Sequence, residues 1–92
     1  MQASATAQAR ICNRKGLHAR AAAKLVKAAS AFDAKVTVAY AGQTAGATSI
    51  LGLLMLAAEM GVEVDLAAEG KDAQQAITAI TDLIQRKFDE TE

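Results

Sequence analysis

A chain of 92 residues, 52% of them apolar and many of those alanine, makes a single domain with a small core. Closely packed small side chains leave little room for a deep small-molecule pocket. The one cysteine excludes an internal disulfide and a Cys-rich metal site, and a lone thiol fits a reducing compartment.

The ten basic and ten acidic side chains cancel overall, but they are segregated. Arg10, Arg14, Lys15, Arg20, Lys24 and Lys27 all lie within residues 1–32, which contain no acid. The rest of the chain carries every carboxylate, so a basic face that meets anions or an acidic partner is expected. Residues 1–9 lack the long apolar run of a secretory signal. The longest uncharged stretch, Val36–Ala58, has a continuous apolar part (Ile50–Ala58) too short to span a bilayer. A cytoplasmic protein without membrane insertion is expected, with one domain over 1–92 and a flexible extension over 1–6.

In chain order, Ala7–Cys12 alternates weakly and reads as a strand, and Asn13–Gly16 as a polar loop. Ala19–Ala31 reads as a helix with Ala22, Leu25, Val26 and Ala29 on one face. Lys35–Tyr40 alternates as a strand, Ala41-Gly42 suits a hairpin turn, and a short strand at Gln43–Ala45 follows. Thr48 or Ser49 can cap a helix that runs to about Met60 and stops at Gly61. Gly61–Ala68 alternates with one polar face. Asp72 is then placed to cap a helix carrying Ala73, Ala76, Ile77, Ile80, Leu83, Ile84 and Phe88 at helical spacing. The order β-α-β-β-α-β-α predicts a largely antiparallel sheet, covered by helices on one side and wet on the other.

The segment that carries chemistry is Asn13–Lys27, NRKGLHARAAAKLVK. His18 stands just before the first helix, where unpaired N–H groups and the peptide dipoles favour an anion. Gly16 allows a sharp turn and a close approach of backbone. Arg20, Lys24 and Lys27 fall within roughly 60° of one another on a helical wheel and form a basic stripe. Cations at a helix N-terminus are unfavourable by about 0.3–1 kcal/mol, a cost that a bound anion would reverse. Histidine offers a neutral ring nitrogen as nucleophile at cellular pH. The alternative is a capping or half-buried histidine with solvated basic neighbours. A metal role is poor, because there is no second histidine. Cys12, at a strand end, reads as a small hydrophobe.

Gly16-Leu17-His18-Ala19-Arg20, followed by a helix, resembles the active-site signature of the HPr family, the histidine-containing phosphocarriers of the bacterial phosphotransferase system. Thr48-Ser49-Ile50-Leu51-Gly52-Leu53 and the element order are similar to that family from about Ala7 to Phe88. The resemblance implies an α+β open-faced β-sandwich, a four-stranded antiparallel sheet with three helices on one side. It implies a carrier rather than an enzyme, phosphorylated on Nδ1 of His18 by enzyme I charged from phosphoenolpyruvate, and passing the group to a IIA-type protein. Arg20 would hold phosphate oxygens, with Gly16, Leu17, Ala19, Lys24 and Lys27 around them. No cofactor is implied, and a monomer is expected. The family motif usually has Pro after the arginine, where this chain has Ala21; a slightly looser helix start is expected.

Ser49 matches the family's regulatory serine, which HPr kinase/phosphorylase modifies in bacteria that possess it; a plain N-cap serine is the other reading. Ile50–Met60 is apolar nearly all round, so part of it should be an exposed patch. The resemblance puts that patch beside His18, with Ile50, Leu51, Leu54 and Met55 as docking residues. A regulatory binding module of the nitrogen-related branch of the same system is the alternative function. Nucleic-acid binding is disfavoured, since no aromatic interleaves with the basic residues.

Overall fold

The computed structural model describes residues 3–90. Its elements are β1 (Ser4–Arg10), α1 (Ala19–Ser30), β2 (Lys35–Tyr40), β3 (Gln43–Gly46), α2 (Ile50–Met55), β4 (Glu63–Glu69) and α3 (Ala73–Gln85), with a 3₁₀ turn at Lys87–Asp89. The four strands form one antiparallel sheet in the order β1-β4-β2-β3. The expected element order and open-faced architecture are both present.

Alternation decides which face of each strand is buried. Ala9 of β1, Val36 and Val38 of β2, and Val64, Leu66 and Ala68 of β4 point inward. Leu25 of α1, Leu53 of α2, and Ile77, Ile80 and Ile84 of α3 pack onto them from one side. Between the strands, Gln8 of β1 donates to Asp65 of β4 at 2.9 Å on the polar face. Ala41 and Gly42, at φ of 53° and 82°, make the turn with two left-handed residues that suits a tight hairpin.

Several boundaries differ from the pattern reading, each for a tertiary reason. β1 starts at Ser4, three residues early, because it pairs along the whole of β4 from Ser4 opposite Glu69 to Arg10 opposite Glu63. Residues 4–6 of the expected flexible extension therefore belong to the sheet, while Met1 and Gln2 lie outside the described residues. α2 ends at Met55 rather than near Met60. The chain there is diverted: Ala57 adopts φ 54°, and the Ala58 carbonyl accepts from the Leu17 N–H at 2.9 Å instead of from its own helix. Asp72 sits at the N-cap of α3 but makes no side-chain cap; its Oδ2 accepts from the Asp33 N–H at 2.8 Å and ties two loops together.

Phe88 is fully buried as its helical spacing suggested, yet it is not helical. α3 stops at Gln85, and Lys87, Phe88 and Asp89 take φ of 59°, 54° and 60°. Three successive non-glycine residues in the left-handed region each cost about 1–2 kcal/mol, so the surroundings must hold them there. Burial of the Phe88 ring, a 2.6 Å hydrogen bond from Lys24 Nζ to the Phe88 carbonyl, and an ion pair of Asp89 with Arg86 at 3.0 Å do so.

Candidate phosphorylation site

The loop before α1 is fixed from below. Gly16, at φ 66°, is buried, and a Cβ there would lie 2.6 Å from the Ala58 carbonyl oxygen, so only glycine fits. The Gly16 N–H donates to the Asn13 carbonyl at 3.1 Å, and Leu17 is buried on the Ala58 contact. Asn13 is fully buried; its Nδ2 donates to the Gly16 carbonyl at 2.7 Å and to Glu90 Oε1 at 3.0 Å. Those two acceptors fix the amide's orientation and leave Asn13 Oδ1 buried without a partner among the described residues.

These contacts place His18 at the N-cap of α1, in extended conformation, with its carbonyl accepting the first intrahelical bond from the Ala22 N–H at 2.8 Å. Its side chain makes no cap, so the first-turn N–H groups keep no intrahelical partner, and no acid occupies that turn. The ring turns to the C-terminal segment, where Nε2 lies 2.5 Å from Glu90 Oε2. The side chains are 27% exposed for His18 and 10% for Glu90. An ionised carboxylate can only accept, so the shared proton belongs to Nε2, and in the neutral ring Nδ1 carries the lone pair. Burial acts to raise the pKa of Glu90, but the hydrogen bonds from Asn13 and His18, with the charges of His18 and Lys24, outweigh it and hold the carboxyl below its ordinary value.

The basic stripe divides. Arg20 is exposed one residue past the helix start and makes no ion pair among the described residues. Lys24 is half-buried and tied to the Phe88 carbonyl, which turns it toward the C-terminal segment. Lys27 is exposed and lines an open groove of about 540 Å³ between α1 and α3, with Lys24, Asp82, Arg86 and Asp89 on its walls. Ala19 is exposed, and Ala21 is fully buried in the core where the family's usual Pro would stand.

At α2, Ser49 is the N-cap, and its Oγ accepts from the Gly52 N–H at 3.0 Å. Of the expected docking residues, Ile50, Leu51 and Met55 are 42%, 71% and 69% exposed, and Leu54 is half-buried. Met60, not among those expectations, is a further exposed apolar side chain, at 57%. Cys12 donates Sγ–H to the Ile84 carbonyl at 3.2 Å. Among the described residues no group of His, Cys, Asp and Glu is placed to hold a metal, and no helix is long and apolar enough to cross a membrane.

The family model described as the PTS HPr component phosphorylation site matches residues 5–86. The chain belongs to the HPr family of phosphocarrier proteins of the phosphotransferase system. It is 51% identical to the phosphocarrier protein NPr of Shewanella violacea, over 90% of this chain and 91% of that protein. It is 44% identical to the phosphocarrier protein HPr of Treponema pallidum, over 88% of this chain and 92% of that one. The crystal structure of HPr-C-His from Thermoanaerobacter tengcongensis superposes with a TM-score of 0.91 at 40% identity, covering 96% of this chain and 99% of its own. An HPr-family phosphocarrier works with phosphotransfer partners.

Two residues of the site were not singled out in the sequence. Asn13 opens the informative segment but reads locally as a turn residue. Glu90 is separated from His18 by 72 positions and sits beyond the last periodic helix, where no pattern marks it.

Proposed function

We propose that His18 accepts a phosphoryl group on Nδ1 from phosphorylated enzyme I and passes it to a IIA-type protein. The observation that carries this reading is the position of the chain's one histidine. It stands at the open end of a twelve-residue helix, with one ring nitrogen engaged by a carboxylate and the first-turn N–H groups unblocked. Those N–H groups, the helix dipole and the Arg20 guanidinium suit the oxygens of a phosphoryl group on Nδ1. The exposed side chains of Ile50, Leu51, Met55 and Met60 supply an apolar docking face for both partners, and the phosphoryl group, drawn from phosphoenolpyruvate through enzyme I, is the only group carried. With enzyme I and phosphoenolpyruvate, the protein is expected to incorporate acid-labile, alkali-stable phosphate, and His18→Ala to incorporate none. Equal incorporation by the two proteins would overturn the reading.

A second reading places the carrier in the nitrogen-related branch, where its phosphorylation state regulates sensor or kinase partners. The higher identity with the protein named NPr than with the HPr of Treponema pallidum favours it. Phosphoryl transfer to a nitrogen-related IIA protein, and none to a sugar-permease IIA protein, would support this branch; the reverse would exclude it. Ser49 presents its hydroxyl at an exposed helix start, and a kinase of the HPr kinase/phosphorylase type would find it there. Incubation with such a kinase and ATP, comparing wild type with Ser49→Ala, tests that role.

A further inference from the structure

Three observations converge on Glu90. The backbone of Lys87–Asp89 holds three left-handed non-glycine residues in succession, a conformation kept only where contacts over-determine it. Each of those contacts comes from the elements beside the histidine or from the end of α3: Lys24 of α1 on the Phe88 carbonyl, the core on the Phe88 ring, Arg86 on Asp89. The turn delivers one carboxylate, whose Oε1 accepts from the buried Asn13 amide at 3.0 Å and whose Oε2 meets His18 Nε2 at 2.5 Å. Asn13 in turn grips the Gly16 carbonyl in the same loop, so both ends of the pair are positioned by the loop that carries the histidine.

We propose that Glu90 is the positioning residue of the phosphoryl acceptor: it orients the His18 ring, keeps the proton on Nε2, and offsets the positive charge that builds on the ring when Nδ1 attacks phosphorus. The inference rests on His18 being the acceptor. In the step itself, the Nδ1 lone pair forms the N–P bond while the bond from phosphorus to the donor breaks, its electron pair leaving with the donor. The ring loses no proton: Nε2–H stays in place, and the imidazole becomes cationic with a dianionic phosphoryl group attached. A carboxylate already hydrogen bonded to Nε2–H stabilises that cation more than the neutral ring, which lowers the barrier rather than only tightening the ground state. When the phosphoryl group leaves for the next protein, the ring returns to neutral and the Glu90 contact returns to its original strength.

The test uses Glu90→Ala and Glu90→Gln in the full chain, with phosphoramidate as a small phosphoryl donor alongside enzyme I and phosphoenolpyruvate. With phosphoramidate, the P–N bond of the donor breaks and ammonia departs, so docking to a protein plays no part. Glu90→Ala is expected to slow incorporation about tenfold with both donors, well short of the loss seen when the orienting carboxylate of a buried catalytic triad is removed. The loss should fall on the maximal rate with enzyme I, not on the concentration of carrier needed for half saturation. Glu90→Gln keeps an acceptor oxygen without the charge and should lie between wild type and Glu90→Ala. Nitrogen-15 spectra of unphosphorylated wild type should show a hydrogen-bonded, slowly exchanging His18 Nε2–H that Glu90→Ala loses.

Wild-type rates in Glu90→Ala with either donor, an effect confined to half saturation, or an unchanged Nε2–H resonance would each overturn the proposal while leaving His18 as the acceptor. A wild-type protein that takes up no phosphoryl group from enzyme I or phosphoramidate would overturn the carrier reading itself, and the positioning role with it.

Discussion

The entrances of α1 and α2 make a controlled comparison within one small domain. Each helix begins at a polar N-cap residue in extended conformation, with no acid in its first turn. At α2 the cap closes on itself: Ser49 Oγ takes the Gly52 N–H, and the helix start is locally satisfied. At α1 the cap residue leaves the helix N–H groups alone and directs its ring to a carboxylate 72 positions away. A capping serine stabilises its own helix; a histidine that declines to cap leaves a helix end open to an anion and its ring free to meet a distant carboxylate. The first arrangement needs only three neighbouring residues, whereas the second needs the loop at Gly16, the buried Asn13 and the strained turn after α3.

This contrast can be broken or sharpened experimentally. His18→Ala should abolish phosphoryl incorporation, while Ser49→Ala should leave incorporation from enzyme I near the wild-type rate; comparable losses in both would erase the distinction. Phe88→Ala removes the buried anchor of the turn that carries Glu90 and should cost about 3–5 kcal/mol in urea denaturation. If it destabilises by less than about 1 kcal/mol, the ring does not hold that turn.

Gly16→Ala forces a side chain into the left-handed region and against the Ala58 carbonyl, and should cost about 2–3 kcal/mol by the same measurement. Its damage should appear in the His18 ring signals and spare the Gly52 amide. Ser49→Ala loses one cap hydrogen bond and should cost about 1 kcal/mol, read as a small fall in the urea midpoint.

The smallest effect is in pH. The folded Glu90 carboxyl titrates below its unfolded counterpart, so its contribution is fully present above the ordinary carboxylate range and is lost as pH falls through the folded value. Melting temperatures of wild type and Glu90→Gln should therefore differ at neutral pH and converge in strong acid. A gap that widens toward acid would show that the carboxyl is not stabilised in its charged form.

Much of this was legible in the chain because it depends on periodicity. β2 at Lys35–Tyr40 and α1 from Ala19 have alternating or helical faces that survive any packing, and the Ala41-Gly42 turn follows from the glycine and the strands beside it. His18 was visible from its place before an Ala-rich helix, next to Gly16 and Arg20. The pattern predicts a longer α2 than forms, because Ile50–Ala58 is uncharged and apolar and offers no internal stop. Its actual end is imposed by Ala58, whose carbonyl is claimed by Leu17 from another part of the chain. Phe88 lies in the core, as its spacing predicts, but outside any α-helix, since a buried ring at the right spacing says nothing of the φ angle beneath it.

What the sequence determined by itself was local: the strands and helices, the hairpin, the serine cap, and a histidine at the start of a basic helix. These follow from hydrogen bonding and side-chain period within a few residues. Tertiary structure decided which nitrogen of that histidine is engaged, since the carboxylate arrives from the far end of the chain. It arrives there because the packing of Phe88 and the Lys24 hydrogen bond hold a turn that local preference alone would not form.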